Sequence, residues 1–188
     1  MTRDLMNLPS NLPIPEDDGA CDHLSGMRVP SIQLLSTAER MVDLALESKK
    51  PTVVFIYPRT GEPNKPAPSD WDLIPGARGC TPQSCGFRDL HKEFEREGFN
   101  VYGLSSQDSD YQKEFARRNH IPFEILSDKD FKFTDALNLP TFKYNSVRLI
   151  KRMAFILQDG KFKKVFYPVF PPNENAEAVL QWVRGNRS

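Results

Sequence analysis

The sequence predicts an α/β fold, a central mixed β-sheet flanked by helices, on three observations. Strand-like and helix-like patterns alternate through the middle of the chain. The run Thr52-Val53-Val54-Phe55-Ile56-Tyr57 is continuously β-branched and aromatic, as in a strand buried on both faces. Near the C-terminus two strand-like runs, 149–157 and 161–167, flank the turn signal Asp159-Gly160, and a helical pattern follows.

The elements follow in order. Residues 1–28, rich in proline and polar groups, read as an arm, with 29–188 as the domain proper. Residues 29–35 suit a short strand, and 37–49 reads either as a helix or as a loop around a short strand. After the buried strand at 52–57 comes an insertion over 58–78. It carries Glu62-Pro63-Asn64-Lys65-Pro66-Ala67-Pro68 and reads as an extended surface loop, because proline forbids regular pairing. Phe87, Leu90 and Phe94 recur on one helical face until Gly98. Residues 100–105 read as a strand. Ser109 caps a helix that turns Tyr111 and Phe115 inward. Residues 123–126 give another strand and 131–137 a short helix. Asn175 caps a last helix with Val179, Leu180 and Val183 facing in. This order fits a thioredoxin-like layout.

Length and charge bound the function. A chain of 188 residues is one domain's worth. Its 25 basic and 25 acidic residues balance, which argues against a nucleic-acid or anionic-membrane partner. Apolar runs are strand-length rather than membrane-spanning, and the first residues lack the apolar core of a secretion signal. A cytoplasmic location is expected. In that reducing compartment three cysteines do not make a disulfide framework, and a close pair is more often catalytic or metal-binding.

That pair is the informative feature. In Gly79-Cys80-Thr81-Pro82-Gln83-Ser84-Cys85-Gly86-Phe87-Arg88-Asp89, Cys80 and Cys85 stand at a helix start, where the helix dipole favours anions. Five residues along an ideal helix amount to roughly 7.5 Å of rise and about 500° of turn. The α-carbons would then lie roughly 8–9 Å apart, too far for a disulfide unless the helix opens. Such a pair suits cycling rather than permanent linkage. Zinc is disfavoured, since His23, His91 and His120 are scattered and no second close cysteine pair exists; no cofactor is called for. Cys21, in the arm beside Asp22 and His23, reads as a bystander. Arg78 either favours a thiolate at Cys80 or is simply solvated. Arg88 and Asp89 read as a structural pair, and the aromatic run at 166–172, with Phe131 and Phe133, as packing.

With Tyr57-Pro58 closing a strand and Lys151-Arg152-Met153-Ala154-Phe155-Ile156-Leu157 opening another before Asp159-Gly160-Lys161, the motif resembles a peroxiredoxin of the Q type, also called bacterioferritin comigratory protein. The resemblance covers roughly residues 29–184. It implies a thiol peroxidase acting on hydrogen peroxide and organic hydroperoxides. Cys80 would attack the peroxide, and Cys85 would resolve the sulfenic acid as an intramolecular Cys80–Cys85 disulfide. Thioredoxin would be the reductant and the catalytic unit a monomer, a dimer through the long loop remaining open. On residues alone Arg152, in a run with Arg148 and Lys151, reads as part of an exposed basic patch on an edge strand. The resemblance instead makes it the catalytic donor that holds the thiolate and the leaving oxygen.

One family feature is displaced. Peroxiredoxins usually carry Pro-x-x-x-Thr-x-x-Cys, but here the threonine slot holds Ala77 and the proline slot Leu73. If the insertion bulges out and returns, Pro58 keeps the proline's place and Thr60 supplies the substrate-binding hydroxyl; Thr81, beside Cys80, competes for that role. The displaced spacing also motivates an alternative: a redox-switched binding protein on the same fold with little peroxidase activity.

Overall fold

The computed structural model describes residues 5–187. The strands are β1 (Gln33–Ser36), β2 (Met41–Asp43), β3 (Thr52–Ile56), β4 (Asn100–Ser105), β5 (Ile125–Ser127), β6 (Thr141–Tyr144), β7 (Val147–Ile150), β8 (Met153–Gln158) and β9 (Lys161–Phe166). The helices are α1 (Leu44–Glu47), α2 (Cys80–Asp89), α3 (His91–Arg96), α4 (Ser109–Arg118), α5 (Lys132–Ala136) and α6 (Asn175–Gly185). A seven-stranded sheet runs β2-β1-β5-β4-β3-β8-β9, and β6 and β7 pair separately. Its centre, β3-β4-β5, is parallel, with helices in the crossovers; β8, β9, β1 and β2 join antiparallel. The mixed sheet flanked by helices is therefore present, and 37–49 resolves into a hairpin and a single helical turn.

Strand periodicity explains why β3 is central. Val53, Phe55 and Tyr57 face one side and pack with Phe87, Phe94, Phe115, Val179 and Leu180. Val54 and Ile56 face the other and pack with Leu24, Leu34, Leu104, Phe133 and Phe155. The Phe55 ring stacks on Phe87 at 4.3 Å between centroids. It lies over Gly103 of β4, where an added Cβ would come within 3.0 Å of the ring. α2, which begins with Cys80, is thus packed onto the strand that ends at Tyr57.

Several expectations change. The strand expected at 149–157 is split. β7 pairs with β6, and β8 starts at Met153 opposite Ile56. Between them Arg152 is 3% exposed, so it is not part of an exposed edge-strand patch. A buried guanidinium needs converging acceptors, and these come from residues 76–83, so the chain bends there rather than continuing one ladder. Asp108 rather than Ser109 caps α4, accepting from the Asp110 amide at 2.9 Å. Asn175 begins α6 after a short 3-10 turn, Pro172–Glu174, and its side chain accepts from Gln83 instead of capping. The helical face carrying Phe87 and Phe94 is broken at Leu90 into α2 and α3.

The proline-rich insertion is anchored to the small sheet. A 3-10 turn, Trp71–Leu73, buries Trp71 with Ala77, Tyr144 and Leu149. The Arg59 guanidinium lies over the Trp71 ring at 4.7 Å and the Tyr144 ring at 4.8 Å, and the Tyr144 hydroxyl donates to Asp70 at 2.8 Å. The first four residues of the N-terminal stretch lie outside the described residues. Cys21, expected in a mobile arm, is instead buried beside Leu24 in the core cluster that contains Val54 and Phe155. A thiol with an apolar neighbour gains by leaving water.

Replacing Phe87 by Ala removes the ring that joins α2 to β3. Urea denaturation should show a loss of about 3–5 kcal/mol, whereas a loss below about 1 kcal/mol would mean the site helix is held by something else.

Candidate active site

Gly79 precedes α2 with φ at +108°, a conformation L side chains rarely adopt. A Cβ there would stand 2.3 Å from Cγ of Pro172, so glycine lets the turn before α6 close over the helix start. Cys80 is the first residue of α2 and is 4% exposed. The first amides of a helix have no acceptor inside it, so the cysteine sits where the backbone presents N–H groups.

Arg152 reaches the same point from between the two sheets. Its Nη2 donates to the carbonyls of Ala77 (3.0 Å) and Arg78 (3.2 Å) and lies 3.2 Å from Sγ of Cys80. Its Nε donates to the Gly76 carbonyl at 3.2 Å, and its Nη1 to Oε1 of Gln83. Gln83 in turn donates to Oδ1 of Asn175 at 3.0 Å, tying the arginine to the start of α6. Among the described residues no carboxylate pairs with Arg152. Carbonyl dipoles cradle this buried cation, and the Cys80 sulfur is the one contacting atom able to take up a full negative charge.

Above Cys80 opens a cavity of about 300 Å³ lined by Arg59, Thr60, Trp71, Thr81, Gln107 and Tyr111, among others. Thr60 is held tightly. Its amide donates to Oε1 of Gln107 at 2.9 Å and its hydroxyl to the same oxygen at 3.2 Å. The Thr60 carbonyl accepts from Gln107 at 3.3 Å and from the Tyr111 hydroxyl at 3.1 Å. The hydroxyl oxygen keeps acceptor capacity for an incoming O–H. Thr81 lines the same cavity from the first turn of α2.

Of the residues singled out in the sequence, Cys80, Thr60 and Thr81 meet at this cavity, and Arg152 touches Cys80. Pro58 does not join them: it is buried at the end of β3 and is not among the residues lining the cavity. Its ring fixes the direction in which the chain leaves the strand. Leu73, in the usual proline slot, is 75% exposed, while Ala77, in the threonine slot, contributes a carbonyl to Arg152. The displaced spacing therefore does not leave the cavity without a threonine hydroxyl, because the insertion carries Thr60 in. Arg78 pairs with Asp72 at 3.1 Å. Arg88 pairs with Asp89 and also donates to the Asn119 carbonyl at 2.8 Å, linking α2 to the end of α4.

Cys85 is buried in the same unbroken helix, and burial pushes its thiol up. No disulfide joins Cys21, Cys80 and Cys85. Fully buried Tyr57 keeps its phenolic proton chiefly because burial disfavours the phenolate, with negative charge on Cys80 acting in the same direction. Gln83, Gln107, Tyr111 and Asn175 were not read from the sequence as site residues. Gln83 had a local signal, being three residues after Cys80 and so near the same helical face. Gln107 and Tyr111 had none.

A family model for Redoxin matches residues 24–180. The chain belongs to the redoxin family. Within it, the chain is similar to peroxiredoxins of the Q type. The chloroplastic peroxiredoxin Q of Sedum lineare is 29% identical over 157 residues, which span 83% of this chain and 75% of that protein. That of Gentiana triflora is 26% identical over 186 residues, 96% of this chain and 78% of that one. Among solved structures, peroxidoxin BcpB of Mycobacterium tuberculosis superposes with a TM-score of 0.71 at 25% identity, covering 87% of this chain and 98% of its own. Peroxiredoxin Q of Xanthomonas campestris shares the fold, with a TM-score of 0.67 at 19% identity, over 94% of this chain and 99% of that one.

Two predictions follow from the geometry. Replacing Arg152 by Met should slow peroxide reduction by about 100- to 1,000-fold in stopped-flow assays, as removal of a positioned donor does elsewhere; a change under about threefold would remove it from the reaction. Burial, with Asp18, Asp17 and Asp22 nearby, pushes the Cys21 thiol up to about 12 from its usual 9.0. The stability gained by keeping it protonated is fully present below pH 9.0 and is lost as pH climbs toward about 12. Iodoacetamide at about pH 8.5 should thus label Cys21 far more slowly in the folded protein than in urea, and equal rates would contradict its burial.

Proposed function

We propose that this peroxiredoxin reduces hydrogen peroxide and organic hydroperoxides through Cys80, resolves the oxidised cysteine with Cys85, and is recycled by thioredoxin. The observation that carries this reading is the 3.2 Å approach of Arg152 to the Cys80 sulfur in a helix that also holds Cys85.

In the first step the Cys80 thiolate attacks the terminal oxygen of the hydroperoxide. An S–O bond forms, the O–O bond breaks, and two electrons pass from sulfur to the peroxide. The departing alkoxide or hydroxide takes up a proton and leaves as alcohol or water. Charge moves from sulfur to the leaving oxygen, so donors placed around Sγ act where negative charge develops. Arg152 and the first amides of α2 supply them, while the Thr60 hydroxyl oxygen, its own proton given to Gln107, accepts from the O–H of the peroxide. Thr81 contributes the amide beside Cys80, and its hydroxyl takes a supporting part in the same cavity.

In the second step the Cys85 sulfur attacks the Cys80 sulfenic acid. The S–S bond forms, the S–O bond breaks, and water leaves with the thiol proton. An intact α2 keeps the two sulfurs apart, so its first turns must open before they meet. Thioredoxin, a dithiol, then returns both cysteines to thiols by exchange. The cycle needs no metal or organic cofactor, suits a reducing compartment such as the cytoplasm, and can be completed within one monomer.

Replacing Cys80 by Ser should abolish peroxide turnover. Replacing Cys85 by Ser should leave one oxidation event per chain but block recycling by thioredoxin. Turnover by the Cys80→Ser protein at the wild-type rate would overturn the assignment.

A further inference from the structure

The cavity above Cys80 is far larger than hydrogen peroxide requires. Its volume of about 300 Å³ compares with the ~30 Å³ that one water occupies in the liquid. Much of its wall is supplied by the insertion: Pro66, Ala67, Pro68 and Trp71 make an apolar side. The charged groups on that wall are not balanced. Glu62 pairs with Lys65, and Arg78 pairs with Asp72. Arg59 has no carboxylate partner among the described residues, and no group among them accepts a hydrogen bond from it.

Arg59 is nevertheless fixed. Its Cζ lies 4.7 Å from the Trp71 ring centre and 4.8 Å from that of Tyr144, two rings set edge to face, and Tyr144 is itself anchored through Asp70. Neither contact uses an N–H donor in a hydrogen bond, so the guanidinium's N–H groups stay available to a carboxylate. A held cation with an unoccupied donor edge therefore shares a cavity with Cys80 and Thr60.

We infer that Arg59 is a specificity-determining residue that binds the carboxylate of a hydroperoxy acid while its hydroperoxide group lies at Cys80 and Thr60 and its carbon chain lies along Pro66–Pro68 and Trp71. This role rests on the peroxidase reading of Cys80. The bonds made and broken at sulfur are those already given, and Arg59 adds only recognition of the distant anion.

The hydroperoxide of linoleic acid and that of its methyl ester differ in the charge Arg59 would read. Wild-type kcat/KM should favour the acid by about tenfold, the scale of one charge-assisted hydrogen bond. In Arg59→Met the ratio of acid to ester should fall to near one, and Arg59→Lys should restore part of it. Because removing an arginine that contacts Trp71 and Tyr144 can loosen the loop, a salt titration of the wild type provides a test without a variant: the preference should shrink as ionic strength rises. A wild-type ratio near one, or a ratio unchanged in Arg59→Met, would overturn the inference while leaving hydrogen peroxide turnover as evidence for the enzyme. Failure to reduce all three peroxides would instead overturn the peroxidase reading beneath it.

Discussion

A guanidinium with no carboxylate partner among the described residues lies buried at the junction of two sheets, and the rest of the site is arranged around it. Arg152 is held by the carbonyls of Gly76, Ala77 and Arg78 and by Gln83, and the Nη2 that serves Ala77 and Arg78 also faces the Cys80 sulfur. Dipoles compensate a buried cation only partly. The pair becomes charge-matched once Cys80 gives up its proton, and the same donors then face the oxygen that leaves. The break between β7 and β8, the return of the insertion to residues 76–79 and the closure of the α6 turn over Gly79 all serve that one arrangement.

The insertion shows how a displaced motif can keep its chemistry. The usual spacing would take a threonine from three residues before the cysteine, and here that position gives a backbone carbonyl to Arg152 instead. The hydroxyl comes from Thr60 at the far end of the loop, held by Gln107 and Tyr111. The intervening residues are stapled to the β6–β7 hairpin by the cluster of Arg59, Trp71 and Tyr144. A long loop would otherwise leave Thr60 and Cys80 free to wander apart, so this packing is what makes the distance in sequence tolerable.

Periodicity and residue type made the central sheet legible. The β3 run announced a strand buried on both faces, and the glycine and cysteine motif announced the helix start. What stayed hidden depended on partners distant in sequence. Nothing around Arg152 signals that its acceptors lie some seventy residues earlier, so the strand seemed continuous and the arginine exposed. Asn175 looked like a cap because asparagine often is one; its side chain is instead engaged by Gln83 from another helix. Cys21 looked like part of a loose arm because the polar residues around it outweighed its pairing with Leu24 in the core. Gln107 and Tyr111 carry no local mark of function, since they act only through where Thr60 arrives.

Packing holds α2 closed around both cysteines in the reduced protein, yet the second half of the cycle needs it open. Phe87 anchors the helix to Phe55, while its first turn is held mainly by Arg152, Pro172 and the Ser84 hydroxyl on the Cys80 carbonyl. The most direct test is hydrogen exchange, read by mass spectrometry, across α2 before and after one equivalent of hydrogen peroxide. Amides at residues 80–86 should lose protection as a Cys80–Cys85 link forms, with β3 unchanged. Full protection of that turn in a protein already carrying the Cys80–Cys85 disulfide would contradict the account.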